Sequence, residues 1–219
     1  MGAVFAICIA SIIFFVVGIV VSNISYTHRF QIKYSSRRMF PFEYNYKSGF
    51  RGNFYGNTAF ILSFLALIAF YILFDQKHTN GFLIYALGAG VVACVLMGVL
   101  LFLPLYFLRA HALLDIVLFV VNFSIPASMI MGSFKMFQAS CNNVHLIFFV
   151  LFIIVALACF ALMLNPKLSF TFKAVEEVQP DGSVKKVRPR MIVLAFTEWM
   201  SYYLIYLTSL IIGVYILFI

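Results

Sequence analysis

The chain has 219 residues, 64% of them apolar or aromatic and only 10% charged, with a mean hydropathy of +1.06. Soluble domains are about 45–50% apolar and about 25% charged, so these values exclude an ordinary water-soluble globule and a disordered chain alike. The class implied is an all-α integral membrane protein, one polytopic domain over residues 1–219, arranged as a six-transmembrane-helix bundle with a small cytoplasmic β-hairpin.

Crossing a hydrocarbon core about 30 Å thick takes roughly 20 apolar residues per helix. Six runs of that kind occur, at about Ala3–Ile24, Thr58–Phe74, Phe82–Leu108, Ala112–Phe134, Leu146–Leu164 and Met191–Ile219. The first lacks a basic flank ahead of it and exceeds a signal-peptide core, so it reads as a retained signal-anchor. Pro104 and Pro126 fall inside the third and fourth runs, where each removes a backbone donor and predicts a kink. With six crossings, thirteen of the 15 Lys and Arg residues share one membrane face, and only Lys77 and Lys135 lie on the other. The positive-inside rule makes the crowded face cytoplasmic and both termini extracytoplasmic. Topology then accounts for the net charge of +8 without nucleic acid as a partner.

The first cytoplasmic segment, residues 25–57, interleaves cations with aromatics. Phe40, Phe42, Tyr44 and Tyr46 alternate with Pro41, Glu43 and Asn45, a period-2 pattern that predicts an extended stretch with one apolar face. Arg37, Arg38, Lys47 and Arg51 offer a surface for anionic lipid headgroups or a docking partner, and the aromatic rings suit interfacial depth, so the segment reads as a membrane-hugging loop. In the second, residues 165–190, matching about Asp181 pairs Val178 with Val184, Glu177 with Lys185, Glu176 with Lys186 and Val175 with Val187. Each pair is apolar with apolar or acid with base, around a Pro-Asp-Gly turn, which predicts the hairpin. A lone hairpin is marginal, and the alternating Phe40–Tyr46 stretch is a candidate third strand.

Ionisable residues inside spans are costly and mark candidate sites. Glu198 lies about 10 Å into the sixth span at 1.5 Å per residue. Its neighbours Thr197, Ser201, Tyr202, Tyr203 and Tyr206 make this the most polar stretch of any span. Asp115 follows His111 by four residues, the spacing of an ordinary helical pair at the interface. Asn122, two turns further along, with Ser124 and Ser128, could extend a polar path. In the third span Ala86, Gly90, Cys94 and Gly98 form a small-residue stripe suited to close helix packing or a contact with another subunit.

The four cysteines show no metal-ligand or redox spacing, and the four histidines are scattered. No enzyme motif is present, so no catalytic residue, metal or cofactor is predicted. Three functions remain: an accessory, assembly or trafficking subunit bound to other membrane proteins, a channel or transporter in which Glu198 handles a proton or cation, and a lipid-binding or lipid-moving protein.

Overall fold

A computed structural model describes residues 2–45, 49–75, 81–103, 108–168, 175–178 and 184–218. In chain order these form α1 (Gly2–Phe30), a 3-10 turn (Pro41–Asn45), the short α2 (Gly49–Gly52), α3 (Phe54–Asp75), α4 (Gly81–Phe102), α5 (Leu108–Ser140), α6 (Asn143–Met163), the strands β1 (Val175–Val178) and β2 (Val184–Val187), and α7 (Val193–Tyr215). Local chemistry sets several boundaries. Gln31 and Cys141 adopt left-handed φ values of 54° and 52°, stopping α1 and α5. One residue later Asn142 caps α6, accepting from the Val144 N–H at 3.0 Å. Pro126 lies within α5 and cannot donate to the Asn122 carbonyl one turn back. The Cys159 thiol of α6 reaches that carbonyl at 4.0 Å.

Neighbouring helices pack in chain order, α1 on α3, α3 on α4, α4 on α5 and α5 on α6, while α7 contacts α1, α4, α5 and α6. The α1–α3 seam is tight: Gly18 takes the Phe60 ring and Gly56 takes the Ser22 hydroxyl, where a Cβ would collide. The stripe on α4 faces inward. Ala86 and Cys94 are buried, Gly90 lies against the Tyr71 ring and Gly98 faces Phe64, so α3 fills it within the chain.

Among the described residues, five helices are long and apolar enough to cross a membrane: Gly2–Phe30, Phe54–Phe74, Ile84–Phe102, Arg109–Ser140 and Asn143–Met163. The expected count of six is corrected to that extent. The sixth run does form a 23-residue helix, α7, which carries Thr, Glu, Ser and Tyr side chains and is not among those five. Those side chains, Tyr203 excepted, are buried against the other helices.

A second correction concerns the first inter-helix segment. Residues 41–45 form a 3-10 turn, not an extended strand, and among the described residues the sheet has two strands. Pro41 fixes a helical φ at the first position. The Glu43 N–H then donates to the Phe40 carbonyl at 3.0 Å, while Glu43 Oε1 accepts from the Phe40 N–H at 3.0 Å. Phe40, Phe42 and Tyr44 are buried in the bundle mouth, so their rings do not lie along the membrane surface. Tyr46 and Lys47 lie outside the described residues, as does Pro104. β1 and β2 run antiparallel with Val175 opposite Val187, Glu176 opposite Lys186, Glu177 opposite Lys185 and Val178 opposite Val184.

Candidate buried cation site

The starts of α5 and α7 and the end of α4 meet at one end of the bundle. His111 and Asp115 come from α5, one turn apart, and Glu198 from the second turn of α7. All three side chains have no solvent exposure. His111 Nε2 lies 3.2 Å from Glu198 Oε2 and 3.7 Å from Asp115 Oδ2. His111 Nδ1 lies 3.0 Å from the Leu103 carbonyl. A carbonyl can only accept, so the proton is on Nδ1 and the ring presents Nε2 to the two carboxylates.

These carboxylates are poorly satisfied. Among the described residues, both Asp115 oxygens and Glu198 Oε1 lack a hydrogen-bond partner. So do the nearby Thr197 Oγ1 and Asn122 Oδ1. An unmet buried acceptor costs on the order of 1–3 kcal/mol, and more for a charged group. Removing these from water therefore leaves a local demand for a proton or another cation.

The 3-10 turn closes the site from above. The edges of Phe40 and Phe42 meet the His111 ring at centroid distances of 5.5 Å each. Several bonds pin this plug. The Tyr34 hydroxyl donates to the Met39 and Phe40 carbonyls at 3.1 and 2.9 Å, and the Trp199 indole donates to Tyr34 and the Met39 carbonyl at 3.0 Å each. Burial, with Tyr44 alongside, pushes the Tyr34 phenol well above its ordinary pKa, so it remains a neutral donor. Arg188 Nη1 donates to both Glu43 oxygens at 2.8 and 2.7 Å, and Arg29 Nη2 to the Tyr44 carbonyl at 3.0 Å.

From Glu198 a line of buried hydroxyls follows α7 toward its other end. Tyr202 donates to the Met97 carbonyl at 3.0 Å, Tyr206 bonds Ser63 at 2.5 Å, and Ser209 bonds Tyr71 at 2.8 Å. Tyr215 meets His145 Nδ1 at 2.8 Å. Glu198 and Tyr215 are seventeen residues apart, about 25 Å along a helix, close to the thickness of a hydrocarbon core.

Sequence reading singled out Glu198 and Asp115, and the structure brings them together around His111. The pairing of His111 with Asp115 at helical spacing is present, but as part of a fully buried triad. Asn122 lies deeper on α5, its amide donating to the Ser201 carbonyl at 3.3 Å. Ser124 and Ser128 donate to carbonyls of their own helix and stand apart from the seam. Arg37 and Arg51 are exposed, away from the triad, while Arg38 donates to the Arg188 carbonyl at 3.1 Å. Sequence reasoning missed the triad itself, because His111 and Glu198 are 87 residues apart and no motif spacing links them.

Comparison with protein-family models, with curated proteins and with solved structures finds no match.

Proposed function

We propose that this membrane protein passes a cation, the proton included, across the bilayer, with the His111–Asp115–Glu198 triad as the binding point and the α7 hydroxyl line as the path. The observation that carries this reading is the buried His111–Asp115–Glu198 triad, with Tyr202, Tyr206, Ser209 and Tyr215 buried further along α7. The hydroxyls of Tyr202, Tyr206, Ser209 and Tyr215 also serve packing through bonds to other helices, whereas a buried Glu198 with an unmet oxygen is costly and marks a functional group. In this reading α7 is a sixth crossing and the crowded basic face is cytoplasmic, as are the plug and the hairpin. Both termini then lie on the opposite side. Exposed Arg37 and Arg51 face anionic headgroups on the cytoplasmic side.

An accessory-subunit role draws less support, because the α4 stripe is filled by α3. A lipid-moving role keeps only part of its aromatic surface, since Phe40, Phe42 and Tyr44 are turned inward while Phe50, Phe54 and Tyr55 stay exposed. Flux into proteoliposomes tests the proposal, with a pH dye for protons and isotopes or fluorescent dyes for metal ions. Wild type is expected to carry one of these ions, and Glu198→Gln to carry it at least about tenfold more slowly. Absence of any flux from protein shown to be folded overturns the reading.

A further inference from the structure

We propose that the triad binds a divalent transition metal of the zinc type, with His111 Nε2, one Asp115 oxygen and one Glu198 oxygen as its ligands. The inference rests on the cation-site reading above and names the ion.

Spacing is the first argument. The three ligand atoms, one from each side chain, lie within 4.8 Å of one another. Metal–ligand bonds of about 2.0–2.1 Å in tetrahedral array place neighbouring ligands about 3.3 Å apart. The two separations from His111 Nε2, 3.2 Å to Glu198 and 3.7 Å to Asp115, bracket that value, and the two carboxylate oxygens lie within 4.8 Å of each other. A charge-assisted N–H···O bond is shorter, about 2.7–2.9 Å, so a direct imidazolium–carboxylate contact fits the separations less well than two ligands of one ion.

Charge balance is the second. Two carboxylates with three unpartnered oxygens sit in a volume sealed by Phe40 and Phe42. One divalent ion brings the sum to zero and gives the orphaned oxygens a partner, whereas a monovalent ion leaves a buried negative charge.

The third is ligand chemistry. Imidazole with two carboxylates suits zinc, manganese, iron or cobalt, and a nitrogen ligand disfavours magnesium and calcium. The Nδ1–H bond to the Leu103 carbonyl fixes the ring and its tautomer with Nε2 inward, as an outer-shell acceptor does for a ligating histidine. The three protein ligands leave one tetrahedral position open for water.

The test uses full-length protein purified in detergent without chelators. Elemental analysis is expected to give about one metal per chain. After removal of that metal, titration with cobalt(II) should produce visible absorption with the intensity of a four- or five-coordinate site. Asp115→Asn and Glu198→Gln keep side-chain volume, and each should weaken cobalt binding on the order of 100-fold or more, beyond the loss that follows removal of an outer-shell partner. Elution as a monodisperse peak shows that each variant is folded. Should a variant fail to fold, the wild-type cobalt spectrum decides alone, since nitrogen ligation by His111 separates it from hexa-aqua cobalt. A metal-free wild-type protein that gives no cobalt spectrum overturns the proposal, and so does unchanged binding in the folded variants. Glu198-dependent proton flux without metal overturns only the metal assignment, whereas bound metal without flux of any ion overturns only the transport reading.

Discussion

Helices α6 and α7 differ little in length, 21 against 23 residues, and almost wholly in what they present to their surroundings. α6 is a run of Phe, Leu, Ile, Val and Ala with six buried residues, and it shows large side chains such as Ile147, Ile154 and Leu157 outward. α7 buries fourteen residues, among them Glu198, Thr197, Ser201, Thr208, Ser209 and four aromatic side chains. The contrast shows what hydropathy measures in a membrane protein: it reports the surface that lipid touches. A helix surrounded by other helices is free to be polar, provided that each polar group finds a partner inside.

That contrast yields a graded set of expectations for equilibrium unfolding in mixed micelles. The largest loss should come from the inner helix: Trp199→Ala removes a buried indole and its two bonds to the plug, and should cost about 3–5 kcal/mol. Next comes the ion pair that ties the segment before α7 to the plug. Arg188 is 41% exposed and Glu43 only 6%. Arg188→Ala strands a buried carboxylate and should cost about 2 kcal/mol, whereas Glu43→Gln leaves an arginine that returns to water and should cost about half of that. Equal losses would show that the plug is wetter than its burial implies.

Two glycines of α4 repeat the inside–outside contrast on a single helix. A Cβ on Gly90 would stand 2.5 Å from three atoms of the Tyr71 ring, so Gly90→Ala should destabilise by about 1–2 kcal/mol through overpacking. Gly88 has nothing within 4 Å, and Gly88→Ala should gain up to about 1 kcal/mol from helix propensity. The smallest effect belongs to α6. Ile154 is 57% exposed, and Ile154→Ala should stay within about 0.5 kcal/mol, as read from the same unfolding curves. A loss there comparable with that at Trp199 would break the comparison and place a protein partner on the outer face of α6.

The same contrast explains which features were legible from residues alone. Long apolar runs such as α6 announce themselves, and a lone Glu in an apolar setting such as Glu198 stands out because its burial needs a reason. α7 was recognised as a run, yet its polarity is the part that composition scores against it. The plug departs from the strand that alternation over the seven residues Phe40–Tyr46 predicts, because so short a period-2 pattern is overridden by local and tertiary bonds. What overrides it is Pro41 together with the reach of Glu43 back to Phe40, a tertiary outcome that depends on where Arg188 stands. His111 was visible only as the helical neighbour of Asp115. Its role as the hub of three ligands depends on α7 crossing beside α5, which no local spacing encodes.

The plug also imposes an order in time. Its fastenings join residues far apart in the chain, Glu43 to Arg188 across 145 positions and Tyr34 to Trp199 across 165. Synthesis proceeds from the N-terminus at about 5–20 residues per second, so Phe40 and Phe42 emerge many seconds before the side chains that seat them. During that interval two hydrophobic rings must be tolerated by lipid or held by a chaperone, and the metal ligands remain apart. The site is therefore assembled late and all at once, when the seventh helix arrives.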